Sequence, residues 1–106
     1  MRIFVLFNLK SGADANAYEE WARTRDLPGI RALVSVAEFQ LYRATGLLGG
    51  GGSPSHQYLG VIDVDDMDGF GVDINSDPVK KIESEFREFA DDVQFILTEV
   101  ISEIRT

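Results

Sequence analysis

Ile3-Phe4-Val5-Leu6-Phe7-Asn8-Leu9 is a short apolar run rich in β-branched and aromatic residues, and it reads as a strand. Side chains alternate along a strand, so Phe4 and Leu6 point one way while Ile3, Val5 and Phe7 point the other. Both faces are therefore hydrophobic. The far end of the chain repeats the pattern: in a strand expected over Val93–Ile104, Phe95 and Leu97 share one face and Ile96 takes the other. Between them, Asp14–Arg25 reads as a helix with Ala17, Tyr18, Trp21 and Ala22 on one stripe, and Pro28-Gly29 is expected to end it. Leu33–Tyr42 and His56–Val64 read as two further strands. Asp77-Pro78 looks like an N-cap followed by proline, opening a helix to about Asp92 with Val79, Ile82, Phe86 and Phe89 on one side.

The resulting order, βαββαβ, is the ferredoxin-like arrangement of the α+β class, expected here as one domain over residues 1–106. Such a four-stranded antiparallel sheet carries its helices on one face and should alternate apolar and polar residues. The outer strands do not alternate, so the uncovered face also asks for burial. The simplest cover is a second copy of the same sheet, a homodimer. The plainer alternative is that these strands are central and helix ends cover the rest.

Composition narrows the classes. A chain of 106 residues with 44% hydrophobic and 26% charged residues has the profile of a folded domain. Its formal charge of −8 argues against nucleic acid and against an anionic membrane surface as partners. With no cysteine there is no disulfide, iron–sulfur or thiolate zinc chemistry. The N-terminal apolar run of five residues falls short of a secretory core of about 7–15, so a cytoplasmic location is expected.

Tyr18-x-x-Trp21, then Arg25-Asp26-Leu27-Pro28-Gly29-Ile30, then a strand ending Tyr42-Arg43, and finally Asn75-Ser76-Asp77-Pro78 resemble the dimeric α/β-barrel superfamily. Within it, the chain most resembles the small RedY-like family, HapK included, of prodigiosin and bisindole pigment pathways. The resemblance implies two ferredoxin-like protomers packed sheet to sheet, with ligands between each sheet and its helices. It also implies a protein without cofactor that acts on bulky pyrrole or indole intermediates.

Candidate residues follow from their chemistry. His56, the only histidine, is the natural proton shuttle near neutrality, and Tyr58 two residues on shares its strand face. A histidine at a strand start is also often merely solvated. Trp21 packs at the pocket wall in the resembled superfamily and would stack on a flat ligand, though it serves the core equally well. Arg25 and Arg43 would polarise an oxygen, or act as surface ion-pair partners. Asn8 and Glu38 are polar residues in strands that otherwise want burial; Glu38 is either a base of raised pKa or an edge charge, and it shares a face with Tyr42.

The run around Gly49-Gly50-Gly51-Gly52 lacks the lysine and hydroxyl residue of a phosphate loop. It reads as a lid that could bring Leu47 and Leu48 over a ligand, or as a tolerated hairpin loop. Asp63, Asp65, Asp66, Asp68 and Gly69 fail the calcium-loop spacing, because positions one and twelve fall on Val64 and Asn75. No metal is expected. The leading expectation is a cofactor-free enzyme with His56 as acid or base, Tyr58 and Arg25 orienting, and Trp21 as a wall. A non-catalytic carrier and a cofactor-free monooxygenase remain open beside it.

Overall fold

The computed structural model describes residues 1–102. Its elements are β1 (Arg2–Leu9), α1 (Ala15–Trp21), a π-helical turn (Ala22–Asp26), α2 (Leu27–Arg31), β2 (Val36–Arg43), β3 (Tyr58–Val64), α3 (Met67–Asp73), α4 (Asp77–Phe89) and β4 (Ala90–Leu97). The strands form one antiparallel sheet in the order β2-β3-β1-β4, with the helices on one side, and this is the ferredoxin-like α+β arrangement.

Pro28-Gly29 does not end the first helix. The Leu27 N–H reaches back five residues to the Ala22 carbonyl, and the chain continues as α2 through Arg31. Proline lacks an N–H and crowds the carbonyl four residues earlier in a regular helix, so a locally widened turn lets the helix pass it. Gly29 has its own reason: a Cβ there would collide with Ile82 Cδ1, so the absent side chain lets α2 lie against α4. At the start of α4 the N-cap is Ser76, one residue earlier than expected, and Pro78 sits in the first turn. The stretch after β3 forms α3, capped by Asp66, whose carboxylate accepts the Gly69 N–H at 3.0 Å. β4 begins at Ala90, three residues earlier than read, and ends at Leu97, so residues 98–102 are not in the strand expected there; the last two residues expected in it lie outside the described residues.

Register separates the two sheet faces. Ile3, Val5 and Phe7 pair with Ile62, Gly60 and Tyr58, and this set faces the helices. Phe7 is fully buried, stacked on Tyr58 with ring centroids 5.3 Å apart and edge-on to Tyr18 and Phe86. Aromatic contacts extend through Trp21 and Phe89, so one end of the space between sheet and helices is solidly filled. The opposite sheet face carries Phe4 and Leu6 of β1, Leu59 and Val61 of β3, Tyr42 of β2 and Ile96 of β4, and no helix among the described residues covers it. Arg2 and Asp63 pair across this face at 2.7 Å. No helix among the described residues is long and apolar enough to cross a membrane.

Candidate functional site

Beyond the aromatic plug the sheet and helices separate and leave a cavity of about 460 Å³. That volume lies within the roughly 300–1,000 Å³ of small-molecule sites. Ile3, Val5 and Ile62 form its floor, and Phe39 and Leu41 of β2 close one side. Phe70 of α3 with Ile82 and Phe86 of α4 form the roof. Phe95 and Leu97 of β4 also line it, 50% and 63% exposed, so the cavity meets solvent along this edge. Glu83 and Arg87 stand at the rim, and the Arg87 guanidinium lies 5.8 Å from the Phe95 ring centre.

One polar group is set into the apolar wall. Asp26, on the π-helical turn, is 8% exposed and lines the cavity. Its carboxyl has no hydrogen-bond or ion-pair partner among the described residues, and its only perturbation is burial, which pushes its pKa up to about 7. Burial disfavours the charged form, and without a partner nothing compensates. The nearby Tyr18 phenol is fully buried with an unpartnered hydroxyl, and burial first, then Asp26, hold it protonated. Asp26 was not among the sequence candidates. A signal was present, since Tyr18, Ala22 and Asp26 are spaced four apart on the apolar stripe, and a carboxylate extending such a stripe by one turn is a group turned inward.

The sequence candidates are scattered, and none of the three residues expected to react lines this cavity. Arg25 is clamped to Glu85 through two contacts of 3.0 and 2.8 Å, and Trp21 Nε1 donates to the same carboxylate at 2.8 Å. Arg25 and then Trp21 lower the Glu85 pKa to about 2. Tyr58 donates to Glu19 at 2.8 Å, where Arg43 also binds at 2.9 and 3.0 Å. Burial and the Glu19 contact raise the Tyr58 pKa to about 12, while Arg43 first and Tyr58 second lower that of Glu19. Tyr58, Arg43, Tyr42 and Glu19 line a second, shallower cleft of about 210 Å³.

His56 lies before β3 and lines neither space. Its Nδ1 is 3.0 Å from Ser55 Oγ, and its Nε2 approaches Asp92 Oδ2 within 3.2 Å without the alignment of a hydrogen bond. Asp92 marks the bulge of β4, with φ of 51°. Asn8 ties this corner together: its Oδ1 accepts the Gln57 N–H at 2.9 Å, and its Nδ2 lies 3.4 Å from Asp92. Glu38 is exposed on the helix-free face and accepts from Gln40 at 3.1 Å. Leu47 and Leu48 stand in the glycine-rich loop outside the cavity lining, and Leu48 is fully exposed. Among the described residues, no three acidic or histidine side chains converge as a metal site.

The family model for HapK, described as a REDY-like protein, matches residues 1–101. The chain belongs to the HapK family. HapK from Hahella chejuensis is similar over 100% of this chain and 98% of its own, at 22% identity and a TM-score of 0.75. A hydroxynitrile lyase from Passiflora edulis shares the fold at 11% identity and a TM-score of 0.78, covering 98% of this chain and 95% of the lyase. A protein of Thermobifida fusca yx, described as dimeric, ferredoxin-like and of unknown function, covers 90% of this chain and 85% of its own at 17% identity and a TM-score of 0.69. No curated protein matches the chain in sequence.

Proposed function

We propose that this HapK-family chain is a small-molecule protein of secondary metabolism, serving prodigiosin-like pyrrole or bisindole pigment biosynthesis. It binds a flat aromatic intermediate between sheet and helices and assists cofactor-free cyclisation, condensation or proton transfer. The observation that carries this reading is the cavity of about 460 Å³, apolar on nearly every wall and open along one edge. Removing a flat, apolar ligand from water into such a space contributes roughly 25 cal/mol per Å² of area buried. Family membership supports the pathway. The Passiflora lyase supports catalysis, being an enzyme built on this fold.

In this proposal the chain works as one domain, in the cytoplasm, as a homodimer joined through the helix-free sheet face. Phe4, Leu6, Leu59, Val61 and Ile96 would meet their copies there, and the Thermobifida neighbour is described as dimeric. A carrier role is favoured by the scarcity of polar groups in the lining. Incubating the purified protein with pyrrole and indole aldehydes or carboxylates, with and without oxygen, separates the roles. A new product without oxygen supports the enzyme, unchanged release supports the carrier, and a strictly oxygen-dependent product supports a monooxygenase.

His56, with Tyr58 and Arg25, is the second proposal for the reacting group. In its favour, His56 Nε2 is buried without a hydrogen-bond partner. Against it, the Arg25 guanidinium is already held by Glu85, and neither His56 nor Tyr58 reaches the larger cavity.

A further inference from the structure

We propose that Asp26 is the proton-transfer residue of the cavity, a carboxyl buried in an apolar wall and aimed at whatever the cavity holds. This rests on the reading of the cavity as a ligand site. Asp26 is 8% exposed, it lines the cavity, and no side chain or backbone group among the described residues bonds its carboxyl. A structural carboxylate at a helix turn normally caps N–H groups or meets a cation. Asp26 does neither, whereas Glu19 on α1 and Glu85 on α4 each hold an arginine. Among the described residues, Asp26 is therefore the carboxyl buried without compensation, and it lies where the wall meets the cavity.

The ionisable groups around it are few. Tyr18 faces it from α1, while Glu83 and Arg87 of α4 stand at the cavity rim. The four strands and α3 contribute only apolar side chains and Gly71 to the lining. With its pKa near 7, Asp26 exists in both protonation states at neutral pH, the condition under which one group serves as acid and as base. A carboxylate stripped of water is also a stronger base than a solvated one.

The probe is 5-nitrobenzisoxazole, a flat uncharged bicycle whose opening needs only a base. The base removes the C3 proton, that electron pair completes the nitrile, and the N–O bond breaks to release a phenolate. The wild-type protein is expected to bind the probe by calorimetry and to open it at a rate rising with pH through the Asp26 ionisation. Asp26→Asn should bind comparably yet lose roughly 100-fold in rate, and Asp26→Glu should recover part of it. The same loss in His56→Gln, with Asp26→Asn unaffected, overturns the assignment. Probe bound but opened equally by wild type and Asp26→Asn overturns the assignment and leaves the cavity reading intact. No binding at all overturns the cavity reading, and the assignment with it. A ¹³C titration of the wild-type carboxyl stands independent of any variant: a midpoint in the ordinary aspartate range overturns the proposal.

Discussion

Replacing Asp26 with asparagine should make this protein more stable in mild alkali and less sensitive to pH. The carboxyl ionises at 3.8 in an unfolded chain and at about 7 when folded. Three units of separation correspond to about 4 kcal/mol between the two protonation states. The sign follows from proton binding. Between those two values the folded protein holds a proton that the unfolded chain has lost, so stability falls as pH rises through the window. Below it there is no penalty, and above it the penalty is complete. From pH 5.5 to 8.5 the wild type should lose about 2 kcal/mol through this one group.

Asparagine keeps the size and removes the charge, but its buried amide lacks partners at a cost of about 1–3 kcal/mol. The net gain at pH 8.5 is then about 1–3 kcal/mol, and it shrinks by about 2 kcal/mol toward pH 5.5. Urea unfolding followed by circular dichroism at pH 5.5, 6.5, 7.5 and 8.5 measures the difference. The range stops well above the sequence pI of 4.4, where low net charge invites precipitation. Protein concentration must be held fixed, since self-association adds to apparent stability. Parallel curves for wild type and variant across the range would refute the reasoning, because they would mean that Asp26 is ionised alike in both states.

Light scattering at micromolar concentration should give twice the 11.8 kDa chain mass, and Val61→Lys on the helix-free face should return the monomer. Glu19→Gln should destabilise by about 1–2 kcal/mol in thermal or urea unfolding, because Tyr58 and Arg43 lose a shared carboxylate. Deleting Gly50-Gly51 should change stability by under about 0.5 kcal/mol, since the loop packs on nothing, and limited proteolysis should cut there first.

The fold was legible because its signals are local. Period-two and helical patterns located all four strands and both long helices. The passage through Pro28 was not legible, because α2 beyond it lies against α4, with Gly29 seated on Ile82, far away in sequence. The site was read less well for a related reason. His56, Arg25 and Tyr58 have chemistry visible in a single letter, but their burial and partners are tertiary facts. Arg25 was open between polarising an oxygen and pairing on the surface until Glu85, 60 residues on, was placed beside it. Asp26 looked like one more acid in an acidic chain.

Asp26 stands out through what surrounds it, and the surroundings have a common origin in the π-helical turn. Tyr18 and Ala22 are on the buried stripe of α1, and a regular helix would carry that stripe onward into Pro28, where it must break. The extra residue in the turn lets the stripe continue into α2, with Ile30 reaching the cavity and Gly29 seating against Ile82. Asp26 is the last residue of that turn, with Tyr18 near it on one side and the apolar cavity on the other. A helix ending where the proline first suggests would have left this carboxyl at a solvated terminus, with an ordinary pKa and nothing to face. The same irregularity that keeps the helix whole therefore converts an acidic residue into a neutral-range proton donor and acceptor, and π-helical turns are found frequently at functional sites.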